Sequence, residues 1–381
     1  MAADLQALLK AIVDAGASDL HFSSGVPPLA RLRGEMVPFQ APDLSPDEAR
    51  TALLAILDDP QRRQFEERRE IDFAFEIAGL ARFRANFFEQ RRGIGAVFRV
   101  ISSKIATLDD LGAPAILKDL ALRDRGLILV TGPTGSGKST TLAAMIDYVN
   151  QNRQGHIITI EDPIEFVHER KKCLINQREV GIHTESFANA LRSALREDPD
   201  VLLVGELRDL ETTALAVTAA ETGHLVFGTL HTNSAAKTID RLIDIFPADR
   251  QAQVRTMVSE SLEGIVAQSL IPTADKKARV AAYEILVGVP ALRNLIREDK
   301  TTQIQSVIQV GASHGMMTLD QALKELVTSG KITRAAALAR STNPKLFESA
   351  ITLPSAVPGA SAISQGKTPV VVVGRPRQPP A

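Results

Sequence analysis

The stretch Gly132-Pro133-Thr134-Gly135-Ser136-Gly137-Lys138-Ser139-Thr140 decides the reading of this chain. It fits G-x-x-x-x-G-K-[ST], with Gly132, Gly137, Lys138 and Ser139 in the defining places. Glycines let the backbone curl so that successive N–H groups converge on phosphate oxygens. Pro133, Thr134, Gly135, Ser136 and Thr140 complete the candidate phosphate cradle. Lys138 is placed to reach the β- and γ-phosphates, and the Ser139 hydroxyl is a hard oxygen ligand suited to Mg²⁺. The apolar run RGLILV before the motif and TTLAAMIDYV after it supply the strand and helix that it requires. That helix would add its N-terminal dipole to anion binding. A glycine-rich turn without nucleotide lacks this context, so the chain is read as binding ATP with Mg²⁺.

Outward from the loop, short apolar runs alternate with helical periods from about residue 119, the pattern of a parallel sheet with crossover helices. The spacing predicts strands over Gly126–Val130, His156–Ile160, Val201–Val204 and Leu225–Leu230. It predicts helices over Thr140–Val149, Phe187–Arg196 and Leu210–Glu221, and a mostly helical region after about 235. Polar residues cluster where such strands end, the place at which open α/β sheets bind ligands. HIITIEDPIEF ends with Glu161, Asp162 and Glu165, and DPDVLLVGELRD ends with Gly205, Glu206 and Asp209. A carboxylate there can orient an attacking water or hold Mg²⁺ through water. Glu206, directly after four apolar residues, is the stronger candidate, whereas Asp209 and Glu165 read equally well as solvated strand-end groups. His224 and His231 flank the strand in GHLVFGTLHTNSA. Seven residues of strand hold them roughly 20 Å apart, so they cannot share one metal ion. His231 stands at the strand exit, where it could sense a γ-phosphate or simply cap the turn.

Before residue 100 the composition differs. LQALLKAIVD carries Leu5, Leu8, Leu9, Ile12 and Val13 at helical spacing. ASDLHFSSG and PPLARLRGEMVPF read as short strands broken at Gly25 and Gly34. SPDEARTALLAILDD (Ser45–Asp59) reads as one helix whose Ser45 and Glu48 form a capping box. Residues 71–100 alternate apolar and polar over three strand lengths, an antiparallel sheet with one wet face in an α+β domain. Arg82, Arg84, Arg91, Arg92 and Arg99 lie on this sheet. A solvated face suits Arg91 and Arg92, beside a turn, while Arg84 and Arg99 sit within apolar alternation and could serve a nucleotide across an interface. The divisions are thus 1–100, a linker at 101–118 with Ser102, Ser103, Gly112 and Pro114 breaking any period, 119–350, and a tail at 351–381. The tail, with six prolines and no acidic residue, reads as disordered.

Composition sets the outer bounds. The 381 residues carry 44 Lys plus Arg against 45 Asp plus Glu, a net charge of −1. Such balance gives no bulk field for nucleic acid, and no Trp and two Tyr leave few stacking platforms. One cysteine, Cys173, excludes an internal disulfide framework and a four-cysteine zinc site. The longest apolar runs fall far short of the roughly 20 residues that span a bilayer. The N-terminus has acidic Asp4 and no basic leader, so it does not read as a signal peptide and a cytosolic chain is expected. No N-K-x-D guanine-reading motif is present, which argues against a GTPase switch.

Taken together, GPTGSGKST, TIEDPIEF, LREDPDVLLVGELRDLET and ETGHLVFGTLHTNSAAKTIDR resemble the secretion-superfamily hexameric ATPases, where they are the Walker A, Asp box, Walker B and His box. The resemblance runs from GASDLHF near the start to GMMTLDQAL at 315–323, and looks most like the type IV pilus retraction branch. It implies an α/β chain with a PAS-like N-terminal α+β domain followed by a RecA-like P-loop core and a helical C-terminal region. It also implies Glu206 as catalytic glutamate, Glu161 and Asp162 as catalytic Asp-box carboxylates, and two His-box residues, His224 binding nucleotide and His231 catalytic. Arg84 and Arg99 would face the nucleotide. ALRNLIRE (Ala291–Glu298) resembles a stretch linked to retraction, with Leu292 in place of the branch's isoleucine. By the same resemblance the chain forms a homohexamer and acts on an inner-membrane pilus platform protein, with an accessory retraction ATPase as a further partner. It would work in the cytoplasm at the inner face of the inner membrane, without zinc or nucleic acid. Assembly and type II secretion ATPases usually add a longer N-terminal domain and a tetracysteine zinc module, and this chain has neither pattern. An accessory retraction ATPase and a nucleotide-binding scaffold with little hydrolysis are the remaining alternatives.

Overall fold

The computed structural model describes residues 4–32, 34–101 and 105–348. Ser102 and Ser103 of the expected linker, and the whole of the 351–381 tail, lie outside the described residues.

The first domain is a six-stranded antiparallel sheet ordered β3-β2-β1-β6-β5-β4. Its strands are β1 (Asp19–Ser23), β2 (Leu29–Leu32), β3 (Glu35–Pro38), β4 (Glu70–Ile77), β5 (Ala81–Gln90) and β6 (Gly93–Ile101). Helix α1 (Leu5–Asp14) is capped by Asp4 and buries Leu5, Leu9 and Ile12. The helix read over Ser45–Asp59 ends early, at Leu54, as α2 (Pro46–Leu54), and a separate unexpected helix, α3 (Asp59–Arg68), begins where that reading stopped. The Ser45–Glu48 capping box of α2 is present as expected. A second box, Asp58 with Gln61, starts α3, and a helix cannot run through residues that serve as the next helix's cap. Alternation on β4–β6 turns one face inward, where Phe87 lies edge-on to Phe73, Phe98 and Phe65 at centroid distances of 5.1, 5.7 and 6.3 Å.

The second sheet has seven strands ordered β13-β12-β7-β11-β10-β8-β9. Strands β7 (Gly126–Thr131), β8 (His156–Glu161), β9 (Leu174–Glu179), β10 (Val201–Val204) and β11 (Leu225–Leu230) pair in parallel. β7, β10 and β11 are buried at every position, as parallel strands covered on both faces must be. Helices α4 (Ile116–Ala121), α5 (Lys138–Asn152), α6 (Phe187–Ala194), α7 (Leu210–Glu221), α8 (Ala235–Asp244) and α9 (Ala248–Ser261) supply the connections.

Beyond residue 235 the chain is mostly helical as expected, but two strands that the spacing does not announce interrupt the helices. β12 (Leu262–Pro272) joins β7 in parallel, and β13 (Arg279–Val287) returns antiparallel along the edge. α9 ends at Ser261 and β12 begins at Leu262, so no breaker residue separates the two. Helices α10 (Pro290–Arg297), α11 (Ile304–Val310), α12 (Leu319–Thr328), α13 (Arg334–Leu338) and α14 (Lys345–Glu348) close the fold. Within α10, Leu292 and Ile296 are buried, and Arg293 donates to the carbonyl of Ser259 and to Glu263, both at 2.9 Å.

The two sheets meet at a partly buried ion pair, Arg82 Nη2 to Glu179 Oε2 at 3.0 Å. The same oxygen accepts the Ile164 amide at 3.1 Å.

Truncation of Phe87, fully buried, tests the first core. Phe87→Ala should destabilise this domain by about 3–5 kcal/mol, read as a lower urea midpoint by far-UV circular dichroism. An unchanged midpoint would refute the packing argument.

Candidate nucleotide-binding site

The site is built on the exit from β7. The chain turns at Gly132 (φ 147°), passes Gly135 (φ 76°) and enters α5 through Gly137 (φ 88°). A Cβ at Gly132 would lie 2.3 Å from the Gln268 carbonyl oxygen and 2.5 Å from Ser136 Oγ, so only glycine fits the turn. No side chain caps α5, which leaves its first amides and its dipole for an anion. Lys138 Nζ donates to the carbonyls of Gly132 at 2.9 Å and Pro133 at 3.3 Å. Burial pulls its pKa below the ordinary lysine range, against the opposing pull of Glu206 and Glu165.

Parallel pairing brings the next three groups to the same edge. Following the strand order from β7, His231 leaves β11, Glu206 follows β10, and Glu161 ends β8. Glu206 accepts from Arg208 Nε at 2.5 Å and lies 3.0 Å from His231 Nε2. Burial alone would raise the Glu206 pKa, but Arg208 and His231 outweigh it and hold the carboxyl below its usual range. Glu161 is the opposite case. Burial raises its pKa, although Thr159 at 2.6 Å and Gln177 at 3.2 Å donate to it.

These groups line a cleft of about 620 Å³ with Asp162, Glu165, His168, Ser139 and Arg279. Arg84 and Arg99 close it from the first domain. They are direct cross-strand partners on β5 and β6, and Arg99 Nε is bonded to Asp19 at 2.8 Å. Arg84 Nε lies 3.9 Å from Asp72, so each arginine has a carboxylate beside it that offsets the repulsion between two like charges placed opposite each other. Arg91 and Arg92 sit at the β5–β6 turn and do not line it. Among the described residues, no group of three or more His, Cys, Asp or Glu side chains is placed to hold a metal. Mg²⁺ suits this cleft nonetheless, because it is held by one or two protein oxygens plus phosphate and water rather than by a protein cage.

The pattern of the family described as Type II/IV secretion system protein matches residues 1–356. The chain belongs to that family. One secretion-family relative, the type IV pilus retraction ATPase PilT of Pseudomonas aeruginosa, is 57% identical over 344 residues, covering 90% of this chain and all of that one. The type IV pilus ATPase PilU of the same organism is 46% identical over 336 residues, covering 88% of each chain. A crystal structure of the pilus retraction motor PilT with bound ADP superposes with a TM-score of 0.84 at 48% identity, over 90% of this chain and 98% of that one.

Against the sequence reading, the structure gathers Thr134, Gly135, Gly137, Lys138, Ser139 and Thr140 of the loop with Glu161, Asp162, Glu206, His231, Arg84 and Arg99 around one cleft, while Gly132, Pro133 and Ser136 shape the loop without lining it. It does not bring His224 there. His224 precedes β11, at the opposite sheet edge from His231, and its Nδ1 lies 3.0 Å from the Ala219 carbonyl. The expected role of His224 in binding nucleotide therefore has no support in the cleft of its own chain. Reading the sequence missed Arg208, whose signal was its place two residues beyond Glu206. It also missed Arg279 and Gln268, lost with β12 and β13, and His168, for which the sequence holds no signal.

His168 offers a pH test. Burial pushes its pKa down to about 4, with Asp147 opposing and Lys171 assisting. The native state thus prefers the neutral ring, while the unfolded chain takes up a proton near the ordinary value of 6.5. Stability from this group is complete above pH 6.5 and declines as pH falls through about 4, by on the order of 3 kcal/mol. Thermal melts across this window should show the decline in the native chain and a flatter profile in His168→Asn. Equal slopes would exclude His168 as the source.

Proposed function

We propose that this chain is an ATP-hydrolysing motor that powers retraction of type IV pili. The observation that carries hydrolysis is Glu206. It is a carboxylate held ionised by two basic neighbours, in the same cleft as a phosphate-binding loop and facing paired arginines from another domain. The direction of work follows the relatives. Identity is higher to the one named a retraction ATPase, at 57%, than to the one named PilU, at 46%, which favours the main motor over an accessory one.

In the reaction, amides of the loop and first turn of α5 bind the β- and γ-phosphates. Lys138 leaves the Gly132 and Pro133 carbonyls to reach them, exchanging neutral acceptors for an anion and so gaining strength. Ser139 would hold Mg²⁺ directly, with Glu161 and Asp162 acting through water; when bound, the ion neutralises phosphate charge. Glu206 orients the attacking water and accepts its proton; its depressed pKa keeps the carboxylate ionised for this, at the cost of basicity, while His231 and Arg208 fix it. Arg84 and Arg99 offset the charge that spreads over the transferred phosphoryl group. ATP and water become ADP and phosphate. A ring of six copies in the cytoplasm, at the inner face of the inner membrane, would pass the resulting domain movement to a platform protein of the pilus.

Glu206→Gln keeps the shape and removes the base. It should leave ATP binding and assembly unchanged and lower phosphate release at saturating ATP by about a hundredfold or more. Near-native turnover would overturn the assignment. In cells, the variant should leave pili that extend and do not withdraw.

A further inference from the structure

One side of the phosphate-binding loop faces the cleft. Its other side is shaped by one residue, Gln268. β12 runs beside β7 with Ala267 opposite Thr131, so residue 268 stands where the loop departs. Gln268 is 4% exposed, yet both ends of its amide are bonded. Nε2 donates to the Ser136 carbonyl at 2.8 Å, and Oε1 accepts from the Thr141 hydroxyl at 2.7 Å. The first bond pins the top of the loop and the second pins the first turn of α5. Backbone and side chain also set which residues the motif allows. The Gln268 carbonyl oxygen fills the space of a Cβ at Gly132 at 2.3 Å, and its Nε2 fills that at Gly137 at 2.9 Å. Two motif glycines are thus required by the same neighbour.

We propose that Gln268 is a positioning residue for the nucleotide, bracing the loop in its phosphate-binding curl from the β12–β13 edge of the sheet. Burial in the sheet keeps its amide fixed, so the loop amides converge before the phosphates arrive, and binding need not order them. Leucine in its place keeps the volume but removes the donor to the Ser136 carbonyl and the acceptor of the Thr141 hydroxyl. Glutamate keeps the shape and the acceptor for Thr141, and turns an oxygen towards the Ser136 carbonyl.

This inference rests on the nucleotide reading above, and the experiment separates the two. The full-length native protein, Gln268→Leu and Gln268→Glu are compared for ADP affinity by calorimetry, ATP KM, kcat, ring assembly and thermal midpoint without nucleotide. In both variants, ADP Kd and ATP KM should rise about tenfold, while kcat at saturating ATP falls less than threefold and assembly is kept. Should Gln268→Leu not fold, Gln268→Glu carries the test. A Kd and KM within twofold of native, or a loss confined to kcat, would overturn the brace. A native chain that binds ADP without hydrolysing ATP would overturn the motor and leave the brace to be judged on affinity alone.

Discussion

Parallel pairing of β7, β11, β10 and β8 delivers four chain exits to one edge of the second sheet, and the chemistry of the cleft depends on that delivery. Each exit contributes a different group: the loop with Lys138, then His231, then Glu206, then Glu161. None of these is near another in sequence. Their mutual placement comes from strands whose residues are buried on both faces and so cannot slip register without exposing apolar surface to water. Glu206 and His231 reach 3.0 Å because the strands preceding them are adjacent and β11 runs only two residues past the Val204–Gly228 pair.

Within that frame, burial acts in two directions. Glu161 has neutral donors only, and burial raises its pKa. Glu206 has Arg208 and His231, and its pKa falls despite burial. Two carboxylates on neighbouring strands thereby acquire different proton affinities at the same pH, a division of labour set by partners rather than by residue type. Lys138, bonded to loop carbonyls, has no carboxylate within ion-pair distance among the described residues, which leaves its charge available.

Much of this was legible beforehand because the buried strands read as short apolar runs ended by polar residues. Val201–Val204, Leu225–Leu230 and Leu210–Glu221 fall at their expected bounds, since turn residues bracket each one. The missed elements lack such punctuation. β12 follows α9 with no intervening residue, and β9 is a polar edge strand, LINQRE, defined by its pairing with β8. α3 buries Phe65 alone, too little for an apolar period, and its only signature was the Asp58–Gln61 cap. The same gap hid part of the site. Arg279 and Gln268 stand on two strands inside a region expected to be mostly helical, and His168 acquires its character wholly from what packs around it.

The bond between the two sheets bears on how they move. Glu179 sits at the edge of the second sheet and holds Arg82 of the first and the Ile164 amide on the same oxygen. Ile164 follows Asp162 by two residues, on the segment that leaves β8 towards the cleft. A tilt of the first domain about this contact leaves one choice. Either the pair parts, exposing a buried carboxylate to the loss of its only cationic partner among the described residues, or the Asp162 segment is drawn along. The two bodies are geared at this point, so a change in the angle between them is felt at the floor of the cleft as well as at its arginine wall.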